Sequence, residues 1–369
     1  MSSPLMPISY SDQDSVFARP FEILRAAIVR RAFPAVAIAV THAGEIVALK
    51  ACGRFTFEPN SHEAMPNTIF DLASVSKVVA TTTMAMIPYE RGLLDLDAPI
   101  VAILPEFAGS DSRRKTITVR MLLAHSSGLP AYGKFFLLTS SRDELLSLAL
   151  TADLVSEPGT RAEYSDIGFI ILGALLERVA DESLVSFCQR EIFGALGMTQ
   201  TMFNPPTALR PLIPPTADDR SYRRRQIQGE VQDENASAMG GVAGHAGVFS
   251  SAGDLAIFAN AMLQRGNHLV RQETLDMFTR KEIFPAGTSR ALGWDTPSLP
   301  SQSGKYFSLR SYGHLGYTGT SLWIDPERHL AIVVLTNRTW PDCSNQSIKT
   351  VRPAFHDAVV EALHLEVCA

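Results

Sequence analysis

The chain has 369 residues, 46% of them hydrophobic and 19% charged, with a formal net charge of −5 at pH 7. This composition is typical of a globular enzyme with one large or two modest domains. The negative charge disfavours a polyanion, so we expect no nucleic-acid partner, and we interpret the one basic run, Arg223-Arg224-Arg225, as a solvated face. No apolar run approaches the roughly 20 residues of a membrane-spanning helix, so we expect no membrane partner.

The cysteines and histidines show no metal-binding or redox pattern. Cys52, Cys188, Cys343 and Cys368 are scattered without a Cys-x-x-Cys pair, and the chain has neither a His-x-x-x-His nor a His-x-His pair. We therefore expect reduced cysteines, no metal and no organic cofactor.

Residues 1–19 carry no basic-then-apolar signal pattern, which favours a cytoplasmic location.

The first half of the chain passes from a helix and a hairpin into a helical region. Apolar residues at helical spacing predict a helix over 17–31, and two β-rich runs at 36–41 and 45–51 flank a Gly-containing turn, which predicts an antiparallel hairpin. The next predicted helix runs from Ser74 to about Glu90, with Pro88 kinking its last turn and Gly92 as its C-terminal cap. Further helices are predicted at 119–124, 142–150, 166–179 and 184–195, and a long surface loop at 205–229.

Strand patterns return in the last third of the chain. A strand is predicted at 246–250, a helix at 253–264, strands at 305–312, 315–324 and 329–336, and a final helix at 345–365. The pattern predicts an α+β fold, in which one antiparallel sheet is built from both chain ends and flanked by helices, beside a mainly helical second lobe. We expect residues 1–75 and 240–369 in the sheet lobe, residues 76–239 in the helical lobe, and the active site at their junction.

One segment pairs a serine with a lysine at the start of an apolar helical run. Ser74 and Lys77 lie three residues apart, which stacks their side chains on one helix face, and Asp71 is placed to cap that helix. A serine hydroxyl needs a base beside it, and an amine whose pKa is lowered by burial can act as one. Ser112 and Lys115 have the same spacing, but they lie in a charged run where the lysine would stay solvated.

Two later segments add chemistry. Tyr164 follows a Pro-Gly turn and precedes a predicted helix, so its phenol could relay a proton, although a lone tyrosine is more often a packed core residue. Residues 312–321 are rich in glycine within a strand pattern, which indicates that something approaches the backbone closely. The chain has no Gly-x-Ser-x-Gly motif, so it lacks the nucleophile elbow of the α/β-hydrolases.

Taken in order, three motifs resemble those of a known superfamily. Ser74-Val75-Ser76-Lys77, Tyr164-Ser165-Asp166 and His314-Leu315-Gly316 are similar to the motifs of the serine β-lactamases and penicillin-binding proteins. More specifically, they resemble the branch of class C β-lactamases, D-Ala-D-Ala carboxypeptidases and family VIII esterases. Supporting segments lie at 122–130, 240–250 and 318–326, so the resemblance covers roughly residues 20 to 360. It implies the same two-lobe fold.

The resemblance also implies roles for individual residues. Ser74 would be the acylated nucleophile, Lys77 its base partner and Tyr164 the proton shuttle. The backbone N–H groups of Ser74 and Tyr317 would form the oxyanion hole, which contributes about 3 to 4 kcal/mol per donor. His314 would line the catalytic site and orient Tyr164 or a substrate carboxylate.

The chain departs from the family pattern at two positions. Asp166 stands where asparagine is usual, and a carboxylate there would raise the pKa of Lys77, so that either Asp166 is protonated or Tyr164 takes more of the base role. His314 stands where β-lactamases usually have lysine, which weakens the positive charge that attracts a substrate carboxylate.

Other residues are assigned to the substrate pocket or to the framework. We expect Asp166 and Gly316 to contact the substrate, and the aromatic side chains that follow a loop facing the cleft to line the pocket, namely Tyr132, Phe135 and Phe136. His125 and His245 lie in turns rich in glycine or serine, where structural hydrogen bonding is the expected role.

Together these features predict a serine hydrolase that acts through an acyl-enzyme on Ser74. A small ester is the favoured substrate, followed by the D-peptides or amides of a D-Ala-D-Ala carboxypeptidase or D-aminopeptidase, with weak β-lactamase activity last. The order follows from the expected cytoplasmic location, because cell-wall peptides lie outside the cytoplasm. A non-catalytic penicillin-binding-like module is the alternative of another class, and the intact Ser-Lys-Tyr set argues against it. The oligomeric state is left open.

Overall fold

The computed structural model describes residues 10–264, 266 and 269–365 of the chain. Residues 1–9, which belong to the segment 1–19 without a signal pattern, lie outside the described residues, and so does Cys368. The strands are β1 (Ala35–His42), β2 (Glu45–Gly53), β3 (Ile69–Asp71), β4 (Met202–Phe203), β5 (Ala217–Asp219), β6 (Arg225–Ile227), β7 (Val248–Ser251), β8 (Tyr312–Leu315), β9 (Ser321–Asp325) and β10 (Leu330–Thr336).

The helices are distributed along the whole described chain. The α-helices are α1 (Gln13–Val16), α2 (Ala18–Val29), α3 (Thr83–Glu90), α4 (Val119–Leu123), α5 (Arg142–Thr151), α6 (Asp166–Ala180), α7 (Leu184–Cys188), α8 (Gly194–Leu196), α9 (Glu234–Ala238), α10 (Ala252–Leu263), α11 (Gln272–Thr279) and α12 (Ile348–Ala362). Short 3₁₀ helices and two π-helical turns, Lys77–Thr82 and Gln189–Phe193, supplement them.

A five-stranded antiparallel sheet joins the two ends of the chain. Its spatial order is β2-β1-β10-β9-β8, so the N-terminal hairpin lies directly beside the last three strands. The central pair β1 and β10 runs in register from Val36 opposite Thr336 to His42 opposite Leu330. Both strands are apolar runs buried almost throughout, as expected of central strands covered on both faces. The predicted sheet built from both chain ends is therefore confirmed.

The alternation of residues along β1 explains how helices cover the two faces of the sheet. Val36 and Ile38 point into a cluster formed with α2 and α12, whereas Ala35, Ala37 and Ala39 point to the opposite face, where α10 packs. Alanine on that face gives α10 room to approach the sheet. The larger cluster continues from this face into the helical middle of the chain, so it supplies no boundary between lobes, and the proposed division at residues 75/76 and 239/240 stays a prediction.

Two sequence-based strand predictions were wrong. Residues 305–311 form turns, because the Asp325 carboxylate accepts hydrogen bonds from the N–H and hydroxyl of Ser308 and holds the segment off the sheet. The strand predicted at 315–324 is interrupted by a turn over 316–320. That turn is closed when Gly316 N–H donates to Thr320 O and Gly319 N–H donates to Gly316 O.

The segment 205–229 is more ordered than a surface loop. It contains the 3₁₀ helix Arg210–Leu212 and the hairpin of β5 and β6. The Asp219 carboxylate closes the hairpin by accepting the N–H groups of Tyr222 and Arg223. Arg223 is also not solvated, because its side chain is largely buried, pairs with Asp219 and donates to the carbonyls of Val231 and Gln232. The interpretation of the arginine run as a solvated face is therefore wrong at Arg223.

In the described part of the chain, no helix is both long and apolar enough to cross a membrane.

Candidate active site

Ser74 lies in a strained, tightly anchored segment that follows β3. The residue before it, Ala73, has φ +47°, a left-handed conformation that is costly for a residue other than glycine. The Asp71 carboxylate accepts the N–H of Ala73 at 2.8 Å, and the Leu72 carbonyl accepts the Thr320 hydroxyl at 2.8 Å. The helix predicted from Ser74 begins instead as a 3₁₀ turn, continues as the π-helical turn that carries Lys77, and ends as α3. Strained segments of this kind are typical of functional sites.

Lys77 is completely buried and makes three hydrogen bonds. Its Nζ lies 3.0 Å from Ser74 Oγ, 2.7 Å from Asp166 Oδ1 and 3.0 Å from the carbonyl oxygen of His245. An ammonium has three protons to donate, so each has an acceptor. Burial lowers the pKa of Lys77 from its ordinary value, while the charge and hydrogen bond of Asp166 act in the opposite direction. Lys77 is therefore closer to losing a proton at neutral pH than a solvated lysine is.

Tyr164 approaches the same hydroxyl from a second direction. Its phenol donates to Ser74 Oγ at 2.9 Å. Burial raises the pKa of Tyr164 well above its ordinary value, and the Asp166 charge raises it further, so the phenol stays protonated at neutral pH. The Arg290 guanidinium lies 5.5 Å from the centre of the tyrosine ring.

The second motif is held in place by His125. The Nδ1 atom of this buried histidine accepts the N–H of Ser165 at 3.1 Å, and its ring packs 4.7 Å from the ring of Tyr164. Ser165 in turn caps α6, because its Oγ accepts the N–H of Gly168 at 3.0 Å. These contacts fix Tyr164 and Asp166 at the start of the helix, as expected of a structural histidine.

His314 lies in β8 and is buried. Its Nδ1–H donates to Leu315 O at 2.8 Å, and Nε2 has no hydrogen-bond partner among the described residues. Burial lowers the pKa of His314 well below its ordinary value, and the charges of Lys77 and Arg290 lower it further. His314 is therefore neutral, with an acceptor lone pair on Nε2, and its ring lies 6.2 Å from that of Tyr164.

The turn over residues 316–320 has room only for glycine at its first position. A Cβ at Gly316 would lie 1.9 Å from Thr320 Oγ1 and 2.5 Å from the carbonyl oxygen of Leu72. The N–H groups of Gly316 and Gly319 are used inside the turn, whereas the Tyr317 N–H has no hydrogen-bond acceptor in the described part of the chain. Tyr317 N–H is therefore available to a ligand.

A cleft of about 1330 Å³ opens over Ser74. Of the residues assigned to the pocket by sequence, Tyr132, Phe136, Asp166 and Gly316 line this cleft. Phe135 does not, because it packs against the large hydrophobic cluster.

Several cleft residues were missed by sequence reasoning. Arg290, which ion-pairs with Asp295, follows a segment without a clear secondary-structure pattern, so no motif marked it. The Asp233 carboxylate accepts a hydrogen bond from Nε2–H of the buried His245 ring, with 2.7 Å between Asp233 Oδ1 and His245 Nε2. Glu234 lines the cleft beside Tyr132. The described residues contain no group of three His, Cys, Asp or Glu that could hold a metal ion.

Comparisons with known proteins identify the family. A family model described as Beta-lactamase matches residues 21–350 of the chain. The chain belongs to the β-lactamase family. A putative D-alanyl-D-alanine carboxypeptidase of Escherichia coli (strain K12) is 32% identical over 307 residues. The match covers 75% of the present chain and 70% of the carboxypeptidase. An N-acetylmuramyl-L-alanine amidase of Bacillus subtilis (strain 168) is 32% identical over 350 residues, covering 83% and 77%.

Comparison with solved structures shows the same fold. The structure described as EstCE1, a hydrolase with promiscuous acyltransferase activity, superposes with a TM-score of 0.77, covering 95% of this chain and 100% of that one at 23% identity. The predicted membership of the β-lactamase and penicillin-binding-protein superfamily is confirmed, and the protein is a serine hydrolase of this family. The relatives are named for different reactions, so their names do not determine which bond this protein cleaves.

Proposed function

We propose that this protein is an esterase-type serine hydrolase that cleaves small uncharged esters through an acyl-enzyme on Ser74. The observation that carries the proposal is the double contact to one hydroxyl. Ser74 Oγ lies 3.0 Å from the Nζ of a buried lysine and 2.9 Å from a tyrosine phenol, at the floor of a cleft. An activated nucleophile with a base and a proton shuttle is the arrangement that acyl transfer needs.

Lys77 acts as the base in the acylation step. When it loses a proton, the neutral amine keeps two protons and gains one lone pair. The Asp166 carboxylate and the His245 carbonyl are pure acceptors, so they retain the two protons, and the lone pair faces Ser74 Oγ. Lys77 then takes the hydroxyl proton as Oγ attacks the ester carbonyl. This assignment makes protonation of Asp166 unnecessary, because burial lowers the pKa of Lys77 despite the carboxylate.

Tyr164 acts as a neutral shuttle rather than as a phenolate base. Its raised pKa keeps the proton on the phenol, from which it passes to the leaving alcohol, and the phenol oxygen takes up in exchange the proton that Lys77 removed from Ser74. In deacylation the same path runs in reverse, with water in place of the alcohol. In acylation the ester C–O bond breaks and the alcohol leaves with the proton. In deacylation water cleaves the acyl-enzyme, which releases the carboxylic acid and restores Ser74.

The oxyanion of each tetrahedral intermediate would be held by the backbone N–H groups of Ser74 and Tyr317. The unused N–H of Tyr317 supports this role. The turn that carries Tyr317 is tied to the nucleophile segment, because the hydroxyls of Thr318 and Thr320 donate to the carbonyls of Asp71 and Leu72, both at 2.8 Å. The two donors are therefore held by one hydrogen-bonded unit, which is the preorganisation that an oxyanion hole requires.

The charge of the cleft supports an uncharged substrate. Seven carboxylates and four cationic side chains line it, so an anionic ligand meets net repulsion. Arg290, Arg220 and Arg223 are already ion-paired with aspartates, and His314 is neutral. Lys134 is the one cleft cation with no carboxylate within 4 Å among the described residues. A substrate carboxylate thus lacks the buried cation that would bind it.

A second candidate activity is hydrolysis of D-peptides or amides. It is favoured by the printed names of the relatives, a putative D-alanyl-D-alanine carboxypeptidase and an amidase. The same Ser74, Lys77 and Tyr164 would serve an amide, with Tyr164 protonating the leaving amine. The charge of the cleft weighs against the terminal carboxylate of such peptides, and for the same reason β-lactams are placed last.

The test is one substrate panel run on wild type and on Ser74→Ala. We expect turnover of short-chain p-nitrophenyl esters, weaker or no turnover of D-alanyl dipeptides and nitrocefin, and loss of all turnover in Ser74→Ala. Faster hydrolysis of D-alanyl dipeptides than of any ester would replace the proposal by the second candidate. A wild-type protein without turnover or acylation would support the non-catalytic module.

A further inference from the structure

Two buried arginines lie behind the turn that carries Tyr317. Only 6% of Arg338 and 3% of Arg352 is exposed, and in the described part of the chain neither has a carboxylate within 4 Å. Burial, and then the charge of Arg338, lowers the pKa of Arg352 to about 9, which leaves it charged at neutral pH. Arg352 Nε also has no hydrogen-bond partner among the described residues. The back of the turn therefore holds two positive charges without a counter-ion.

Both guanidinium groups donate to carbonyls of the turn itself. Arg338 Nε donates to Tyr317 O at 2.7 Å, and Arg352 Nη2 donates to Gly319 O at 3.1 Å. The backbone N–H of Arg338 donates to Thr318 O at 2.9 Å, and its guanidinium lies 4.7 Å from the centre of the Tyr317 ring. With the carbonyls of residues 317, 318 and 319 all turned toward these donors, three peptide planes of the turn cannot rotate without breaking a hydrogen bond, and the bonds to residues 317 and 319 are charge-assisted.

Neutral side chains would hold the same carbonyls at a lower desolvation cost. Burying a guanidinium without a carboxylate is unfavourable, and such uncompensated charges are concentrated at functional sites. The field of the two charges favours a negative charge that develops on the other side of the turn, where Tyr317 N–H is free. The neutral ester of the ground state gains much less from that field than the anionic intermediate.

We propose that Arg338 and Arg352 are positioning residues of the oxyanion hole, which lock the 316–320 turn and supply the positive field behind it. The inference rests on the proposed acyl-enzyme chemistry of Ser74. It assigns to the pair a contribution to the anionic intermediate and none to substrate binding.

The experiment compares Arg338→Met and Arg352→Met with Arg114→Met as the matched control. Arg114 is likewise a buried arginine, and it donates to the backbone carbonyls of Leu150 and Ala152 in a different part of the fold. Each protein is assayed for kcat and KM on a p-nitrophenyl ester, for the Kd of phenylboronic acid, and for Tm. Ser74 Oγ adds to boron and its proton passes to Lys77, so the adduct is a tetrahedral anion that mimics the intermediate. Arg338→Lys and Arg352→Lys are included because they keep a positive charge.

We expect kcat to fall by roughly ten-fold to a hundred-fold in both methionine variants, less than for removal of an oxyanion donor itself. The Kd of phenylboronic acid should rise by a similar factor, KM should change less than two-fold, and the lysine variants should recover part of the loss. Arg114→Met should lower Tm without changing kcat or the boronate Kd. Unchanged kcat and boronate affinity in the methionine variants would overturn the inference, as would parallel losses in Arg114→Met.

If wild type binds phenylboronic acid but turns over no ester, the proposed esterase activity fails while the boronate comparison still decides the role of the arginines. If a methionine variant does not fold, the corresponding lysine variant decides. A lysine variant keeps the positive charge. If it matches wild type in Tm but loses as much boronate affinity as expected for removal of the charge, the proposed role of the positive field is contradicted.

Discussion

Two Ser-x-x-Lys segments occur in this chain, and only one of them makes a site. Ser74 and Lys77 lie in a buried 3₁₀ and π-helical stretch, with Lys77 Nζ 3.0 Å from Ser74 Oγ. Ser112 and Lys115 lie in a 3₁₀ helix with both residues exposed, where Asp111 caps the helix and pairs with Arg113. The spacing is the same, but the surroundings of the two lysines differ completely.

The comparison shows that burial, rather than spacing, distinguishes a base from a surface lysine. Burial lowers the pKa of Lys77. The two acceptors beside it, the Asp166 carboxylate and the His245 carbonyl, direct its lone pair toward Ser74. Lys115 is exposed, so no such burial acts on it. A change at the buried segment should therefore alter activity, whereas a matched change elsewhere in the chain should not.

The largest effect is expected from removal of the nucleophile. Ser74→Ala should lower kcat/KM for a p-nitrophenyl ester by about 10⁴-fold or more, because no acyl-enzyme can form. Ser112→Ala should keep wild-type kinetics. Comparable losses in the two variants, or none in either, would remove the distinction between the segments.

Removal of the base should have the next largest effect. Lys77→Met should lower kcat/KM by about 10³-fold to 10⁴-fold, and it should also lower Tm because the largely buried Asp166 carboxylate loses its ion pair. Lys115→Met should change neither quantity measurably. Retention of activity in a folded Lys77→Met protein would contradict the assignment of Lys77 as base.

Loss of the proton shuttle should cost less than loss of the base. Tyr164→Phe removes the hydroxyl that donates to Ser74 Oγ, and we expect kcat to fall by about 10²-fold to 10³-fold. Tyr306→Phe also loses one phenol, which bonds Glu361 far from the cleft, and should leave kcat unchanged. The loss in Tyr164→Phe should be smaller for an ester with a p-nitrophenol leaving group than for an alkyl ester, because p-nitrophenolate departs without a proton.

The smallest expected effect is a shift in pH dependence. The Asp166 charge raises the pKa of Lys77 against the effect of burial, so Asp166→Asn should lower that pKa further. Because the base must be deprotonated, kcat/KM rises with pH through the Lys77 pKa, and this acidic limb should move to lower pH in the variant. Asp97→Asn, at an exposed ion pair with Arg120, serves as the control. An acidic limb in the same place for Asp166→Asn and wild type would exclude Lys77 as the titrating base.

Some of this structure was predictable because its signals are local. The hairpin at the N-terminus, the apolar strand β10 and the helix that begins at Asp166 are each indicated by the pattern of neighbouring residues. Ser74, Lys77 and Tyr164 are in three-dimensional contact as their motifs suggested, and their catalytic roles remain proposals.

Other features were not predictable because their causes are distant in sequence. The turn at 316–320 follows from donors such as Arg338 and Arg352, and the ring of His245 is held by Asp233. Phe135 and Phe136 also separate, since Phe136 packs on Tyr222 at the cleft whereas Phe135 packs against the core. They lie in the short 3₁₀ helix Phe135–Leu137, where periodicity cannot distinguish two adjacent rings. A polar contact between segments that are distant in sequence produces no periodic pattern in either segment.

Covalent labelling tests most directly whether Ser74 is the nucleophile. Wild type, Ser74→Ala and Ser112→Ala are each incubated with a fluorophosphonate, and the intact masses are measured. We expect one adduct per chain in wild type and in Ser112→Ala, and none in Ser74→Ala. A wild-type protein without an adduct, or a Ser74→Ala protein that is still labelled to one adduct per chain, would contradict this role of Ser74.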